Sequence, residues 1–187
     1  MRKYGFQYGF TLALAVAGLL LTHSPARGQT APATTHAEAR RWPADVGATA
    51  DEVALTTLDG QPTSWRALRG KVVVVYLWAS WCPPCLAGLP ELVALARETD
   101  SANVTVVLLA LDPDATPVWA ALAGSANALP VYLAAAPVPD AFAPPSLPSV
   151  VVMRPNGQVA AHYEQPGEYN TPAFKATLHH LAHNPHH

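Results

Sequence analysis

Residues 72–85 have the sequence VVVVYLWASWCPPC, which joins an apolar run to a pair of cysteines. The run over 72–78 is continuous, β-branched and aromatic, which is typical of a strand buried on both faces. The adjacent residues Pro83 and Pro84 fit only the first turn of a helix, where a missing N–H costs no intrahelical hydrogen bond. The segment therefore predicts a buried strand, a short turn and a helix over about residues 83–98.

The two cysteines of this segment, Cys82 and Cys85, are the only cysteines in the chain. A sulfur at the beginning of a helix lies near unpaired N–H groups and near the positive end of the helix dipole, and both stabilise a thiolate. Cys82 is therefore the candidate nucleophile. Cys85 lies one turn into the helix and is the candidate resolving thiol, which attacks a mixed disulfide and releases the partner. The spacing thus indicates thiol–disulfide exchange.

Other uses of a Cys-x-x-Cys pair fit the sequence less well. A structural zinc site needs four ligands, and the chain has no second pair of this kind. Haem attachment needs a histidine directly after the second cysteine, where the chain has Leu86. A disulfide within so small a loop adds little stability to a fold. An inert buried pair is the remaining alternative to a redox-active one.

The N-terminus has the features of an export signal, because two basic residues precede an apolar run over residues 10–21. The predicted organisation is a signal peptide over 1–28, a flexible linker over 29–47, a folded domain over 48–183 and a histidine-rich tail over 184–187. An uncleaved membrane anchor is the alternative to a cleaved signal. The net charge of −2 and the scattered lysines and arginines argue against a nucleic-acid partner.

Strand and helix signals alternate along the remaining sequence, which predicts the α/β class. A turn with the sequence LDGQ over residues 58–61 separates two extended segments, 53–57 and 63–65, and predicts a β-hairpin. Further along, we predict strands over 104–111, 130–133, 150–153 and 159–162, and helices over 116–123 and from the capping residue Thr171 to about 181. Starting with the strand over 72–78, the predicted elements after the hairpin follow in the order β-α-β-α-β-β-β-α.

Together these motifs resemble the TlpA/ResA/DsbE-like exported branch of the thioredoxin-like superfamily. The resemblance covers about residues 51–181, and it depends on LDG at 58–60, LRGK at 68–71, the strand leading into WCPPC, Pro90, and SLPS at 146–149. It implies a thioredoxin-like fold in which helices flank a central mixed sheet, with the N-terminal β-hairpin as an extension. It also implies a protein thiol–disulfide oxidoreductase that needs no cofactor.

The resemblance further implies which residues contact a partner. Pro148 corresponds to a cis-proline that lies against the two cysteines, and the backbone of Leu147 then pairs with an extended segment of the partner. An ordinary trans proline in a proline-rich loop is the alternative. Trp81 is expected to form an exposed apolar lip, whereas Trp78 is expected in the core. The candidate partner-binding residues are Trp81, Pro83, Pro84, Leu147 and Pro148.

Three positions depart from the pattern of this superfamily. After Pro148, the chain has Ser149 and then Val150, where the cytochrome-maturation subgroup often has an acid. Tyr76, six residues before Cys82, stands where thioredoxins have an acid. Gly88, three residues after Cys85, stands where many cytochrome-maturation reductants have a glutamate. We therefore expect no buried carboxylate behind the resolving cysteine, and the departures argue against a dedicated role in reducing apocytochrome c.

Polar residues outside the cysteine motif allow fewer functional predictions. Asp112 and Asp114 follow a predicted strand and resemble a helix-capping loop more than a pair of catalytic acids. His179 and His183 are four residues apart, so they can share a helix face and bind a metal weakly. A polar terminus without contacts is the alternative for these histidines.

The predicted partners are exported proteins with cysteine pairs, such as apocytochromes or copper-site assembly proteins. A membrane thiol donor would supply the electrons, and the sequence predicts a monomer with no bound metal. The alternative function is a copper chaperone that binds Cu(I) through the two thiolates. A peroxidase is the least consistent function, because the sequence lacks the threonine and arginine arrangement that activates peroxide.

Overall fold

The computed structural model describes residues 53–123, 129–138, 142, 146–164 and 166–184. The predicted signal peptide, the predicted linker and residues 185–187 of the predicted tail lie outside these ranges. None of the helices in the described ranges is long and apolar enough to cross a membrane.

The described chain alternates strands and helices in the predicted order. The strands are β1 (Leu55–Thr57), β2 (Pro62–Thr63), β3 (Val72–Trp78), β4 (Val104–Ala110), β5 (Val131–Ala134), β6 (Ser149–Met153) and β7 (Val159–Tyr163). The helices are α1 (Pro83–Glu98), α2 (Ala115–Leu122) and α3 (Pro172–His183). The cap of α3 is also as predicted, because Thr171 Oγ1 accepts a hydrogen bond from the backbone N–H of Phe174 at 3.1 Å.

The strands form a mixed sheet with the spatial order β2-β1-β5-β4-β3-β6-β7. Strand β3 pairs in parallel with β4, and β4 pairs in parallel with β5, while the remaining neighbours are antiparallel. The hairpin of β1 and β2 joins the sheet through β5 and lengthens it at one end. The α/β class, the central mixed sheet and the N-terminal hairpin extension are therefore confirmed.

Strand β3 lies in the interior of this sheet between β4 and β6, and all seven of its residues are buried. Its side chains alternate between two apolar clusters. Val74, Tyr76 and Trp78 join a cluster to which the three helices contribute, whereas Val75 and Leu77 join a cluster on the opposite side. The unbroken apolar run is needed because both faces of the strand are covered.

One predicted boundary is wrong. The sequence placed Trp65 in the second strand of the hairpin, but β2 ends at Thr63 and Trp65 begins a 3-10 helix, Trp65–Leu68. The indole ring of Trp65 is buried and packs edge-on against Tyr132, with ring centroids 6.1 Å apart. Burying this large ring against β5 outweighs the tendency of an aromatic residue to continue a short strand.

Candidate functional site

The cysteine pair lies where β3 ends and α1 begins. Cys82 is the N-cap residue of α1, and it forms a disulfide with Cys85 across a Cα–Cα distance of 5.3 Å. Pro83 and Pro84 fill the first two helical positions. The arrangement follows from the sequence, because the apolar run ends at Trp78 and the prolines tolerate only the start of a helix.

The two sulfur-bearing residues differ in their access to solvent. Cys82 retains 6% of its surface exposed, whereas Cys85 is fully buried. The backbone N–H of Cys85 donates to Cys82 Sγ at 3.3 Å. Because Pro83 and Pro84 have no N–H, this amide is the first backbone donor of α1 that can stabilise a negative sulfur at position 82.

A groove of about 990 Å³ opens beside Cys82. Most of its surface is apolar, and Trp81, 69% exposed, stands at its border. The structure brings several of the predicted partner-binding residues to this groove, namely Trp81, Pro83, Pro84 and Leu147. The Leu147–Pro148 peptide bond is cis. Trp78, in contrast, is fully buried in the core.

The sequence analysis missed a structural role of Asp112. Its side chain, 3% exposed, accepts hydrogen bonds from the backbone N–H of Ser80 at 2.9 Å and from Ser80 Oγ at 2.6 Å. The capping role predicted for both acids belongs to Asp114 alone, which accepts from the N–H of Thr116 at 2.9 Å. Asp112 instead holds the turn that carries Trp81 and Cys82.

Comparison with known proteins identifies the family of this domain. The Redoxin family model matches residues 26–173 of the chain. The chain belongs to the Redoxin family. Thioredoxin-like structures share its fold, and the two cysteines of this redoxin have Cys-x-x-Cys spacing.

Individual relatives support this assignment over parts of the redoxin chain. It is 31% identical to the thiol-disulfide oxidoreductase ResA of Bacillus thuringiensis over 71 residues, which are 38% of this chain and 40% of ResA. In structure it is similar to a secreted Mycobacterium tuberculosis disulfide oxidoreductase homologous to E. coli DsbE, with a TM-score of 0.51, 26% identity, and coverage of 61% of this chain and 84% of that chain.

A thiol:disulfide interchange protein of the thioredoxin family from Chlorobium tepidum is similar with a TM-score of 0.57 and 26% identity, and the match covers 70% of this chain and 95% of that chain. The matched stretches span between 31% and 40% of the length of the first three curated relatives. The comparisons therefore show the family and the fold of this redoxin.

A buried histidine of this redoxin contacts the residue next to Pro148. His162, on β7, is 2% exposed, and its Nε2 forms a hydrogen bond with Ser149 Oγ. Its Nδ1 lies 3.7 Å from Glu164 Oε1. Burial lowers the pKa of His162 below its ordinary value, although Glu164 and Glu168 act in the opposite direction. The folded state therefore favours the neutral form of the His162 ring.

We expect the free energy of unfolding to decrease as the pH falls below about 6.5, the ordinary pKa of histidine. The unfolded chain then takes up a proton at position 162 that the folded chain binds only at lower pH, so acid favours unfolding. The slope from one proton is at most about 1.4 kcal/mol per pH unit. Denaturant unfolding between pH 5 and pH 8 measures it.

His162→Gln should remove this part of the pH dependence. His179→Gln is the matched control, because His179 is an exposed histidine on α3. Equal slopes for wild type and His162→Gln would show that His162 binds protons equally in both states.

Two exposed histidines of α3, His179 and His183, contact each other. The rings of His179 and His183 stack with centroids 4.1 Å apart, and His183 Nδ1 lies 2.8 Å from the carbonyl oxygen of His179. No group of three or more His, Cys, Asp or Glu side chains is arranged around a metal position within the described ranges.

Proposed function

We propose that this redoxin is an exported protein thiol–disulfide oxidoreductase in which Cys82 is the nucleophile and Cys85 the resolving cysteine. The observation that carries the proposal is the disulfide between an N-cap cysteine beside an open groove and a fully buried cysteine one turn later. Only Cys82 can meet the sulfur of another protein, and only Cys85 lies in position to release it.

The proposed reaction has two exchange steps. The Cys82 thiolate attacks one sulfur of a partner's disulfide, which forms a mixed disulfide and releases the partner's other sulfur as a thiolate. Cys85, deprotonated, then attacks Cys82 Sγ, which forms the Cys82–Cys85 disulfide and releases the first sulfur of the partner. The partner gains two electrons and two protons as a dithiol, and this redoxin loses two electrons. An external dithiol returns it to the reduced state.

The groove beside Cys82 is suited to bind an apolar, extended segment of a partner protein. Its largely apolar lining and the exposed ring of Trp81 provide contact area that does not depend on charge. Leu147 lines the groove, and we assign to its backbone the strand-like pairing with a partner segment. We assign Trp81, Pro83, Pro84 and Leu147 to partner binding on this basis, and we assign Pro148, which is buried and does not line the groove, through its cis peptide bond to Leu147.

Export is part of the proposal. The apolar run over residues 10–21 follows a basic N-terminus, and a disulfide is most readily maintained outside the cytoplasm. One similar structure belongs to a secreted oxidoreductase. The proposed setting is the periplasm, with exported cysteine-containing proteins of the cytochrome c or copper-site maturation type as partners, a membrane thiol donor as reductant, and a monomeric enzyme.

The direct test is the reduction of insulin by dithiothreitol. We expect the purified chain to accelerate the precipitation of insulin chains, and Cys82→Ser to reduce the acceleration to the uncatalysed rate, since serine does not exchange with disulfides. Ala87→Ser is the matched control, because it adds the same side chain at an exposed position of α1. Unchanged activity of Cys82→Ser would overturn the proposal.

The Cu(I) chaperone remains the alternative function, and no observation in the described residues favours it. Two thiolates suit Cu(I), but no histidine or acid joins them in a cluster of three within the described ranges. An anaerobic Cu(I) titration against a strong chelator separates the two functions, because a chaperone holds the metal and an exchange enzyme releases it to the competitor.

A further inference from the structure

A buried tyrosine supports the resolving cysteine from behind. Tyr76 is fully buried on β3, and its hydroxyl donates a hydrogen bond to the carbonyl oxygen of Cys85 at 3.0 Å. The carbonyl belongs to the first turn of α1, so the bond ties that turn to the central strand. Burial, and then Tyr169, raise the pKa of Tyr76, which keeps its hydroxyl protonated and able to donate.

Gly88 makes room for this hydroxyl. A Cβ atom added at Gly88 would lie 2.6 Å from the hydroxyl oxygen of Tyr76 and 3.1 Å from that of Tyr169. Both distances are shorter than normal van der Waals contacts, and both rings are held in the core, where they pack edge-on with centroids 5.8 Å apart. A side chain at position 88 and a tyrosine at position 76 therefore exclude each other.

Two of the departures noticed in the sequence, at positions 76 and 88, are thus a single feature of the structure. The hydroxyl of Tyr76 occupies the space that a side chain at position 88 would need, so Tyr76 is compatible with glycine at that position. The hydroxyl of Tyr169 completes this group and interacts with the hydroxyl of Tyr76.

We propose that Tyr76 is a positioning residue that holds Cys85 in place for disulfide formation, in the space that Gly88 leaves open. The inference rests on the proposed function of the Cys82–Cys85 pair. Closing a disulfide is easier when the attacking sulfur is already held near its target, because less conformational freedom is then lost in the step. Tyr76 reduces the conformational freedom of Cys85 through its hydrogen bond to the backbone carbonyl oxygen of Cys85.

The consequence is a change in the equilibrium between disulfide and dithiol. Without the hydroxyl, the first turn of α1 loses its bond to β3, and the two sulfurs meet less readily. We expect Tyr76→Phe to lower the equilibrium constant for disulfide formation by about threefold to tenfold, the range produced by losing one ordinary hydrogen bond. A tenfold change corresponds to a reduction potential about 30 mV less negative.

The measurement uses redox buffers of reduced and oxidised glutathione or dithiothreitol, with alkylation of free thiols and mass spectrometry. Tyr163→Phe is the matched control, because Tyr163 is a buried tyrosine of the same cluster, on β7, with no hydrogen bond to Cys85. A tyrosine with only a packing role stabilises both redox states equally and leaves the potential unchanged. A shift for Tyr76→Phe no larger than that for Tyr163→Phe would overturn the proposal.

Gly88→Ala provides a second, independent test. The added methyl group should push the Tyr76 hydroxyl away from the Cys85 carbonyl and shift the equilibrium in the same direction as Tyr76→Phe. In the Tyr76→Phe background, the same substitution should shift the equilibrium by less than about twofold, because the closer of the two oxygens, that of Tyr76, is gone. Equal shifts in both backgrounds would contradict the proposed contact. If Gly88→Ala alone does not fold, recovery of folding in the double variant tests the same exclusion.

The test of the positioning role of Tyr76 can fail independently of the proposed function. If the wild-type chain fails to accelerate insulin reduction, the proposed oxidoreductase function is wrong. The equilibrium between the Cys82–Cys85 disulfide and the dithiol can still be measured on the chain alone. If the wild type reduces insulin but Tyr76→Phe leaves the disulfide equilibrium constant unchanged, only the positioning role of Tyr76 is wrong.

Discussion

Replacing Cys85 with serine should turn this redoxin into a trap for its partners. Cys82 would still attack a partner's disulfide, because its position at the groove and the amide that faces its sulfur are retained. The mixed disulfide would then persist, since no second sulfur lies one turn away to release it. We expect its lifetime to increase on the order of 100-fold or more, because an attack within the molecule is replaced by the attack of a dilute external thiol.

Non-reducing electrophoresis detects the trapped species as a band that disappears with dithiothreitol, and mass spectrometry of the trapped peptides identifies the partner. Cys82→Ser is the comparison, and it should trap nothing, because the remaining sulfur at position 85 is fully buried. Equal trapping by the two variants would contradict the division of roles. Recovered partners with cysteine pairs from the exported fraction would also test the proposed location.

Much of the active-site architecture follows from local sequence. The apolar run of β3 must be buried on both faces, and the paired prolines allow only a helix start, so the place of Cys82 could be predicted without the structure. Local pattern also predicted the cap at Thr171. These features depend on neighbours within a few positions along the chain.

The features that the sequence did not predict are contacts between distant positions. Asp112 and Ser80 are 32 residues apart, and they meet because β3 and β4 are parallel neighbours whose carboxyl ends share one edge of the sheet. A polar side chain directly after a buried parallel strand was the available signal. Tyr76 and Gly88 were each recognised as unusual, but only the packing of α1 on β3 shows that one requires the other.

Asp112→Ala should have the largest effect on stability among the acids near the site. The substitution removes the acceptor for both the N–H and the hydroxyl of Ser80, and these groups are partly buried. A hydrogen bond to a charged acceptor is worth at most about 1.5 to 3 kcal/mol, and the two bonds here are only partly buried, so neither contributes its full value. We expect the free energy of unfolding to decrease by about 2–4 kcal/mol, measured by denaturant unfolding.

The same substitution should also lower activity, although Asp112 takes no part in the exchange chemistry. Ser80 directly precedes Trp81 and Cys82, so a looser turn leaves both the apolar lip and the nucleophile less well placed. We expect kcat/KM for insulin reduction to fall on the order of tenfold, since small displacements of reacting groups are costly. Asp112→Asn keeps one oxygen acceptor and should recover part of both losses.

Asp114→Ala is the matched control for this prediction. It removes the same side chain two residues later, where the carboxylate caps α2 and is exposed. The loss of a helix cap costs about 1 kcal/mol, and this cap does not contact the turn before Cys82. A selective loss of activity in Asp112→Ala would show that the acid supports the nucleophile through Ser80. Equal effects of the two substitutions on unfolding and on kcat/KM would instead assign both acids to the capping loop that the sequence first indicated.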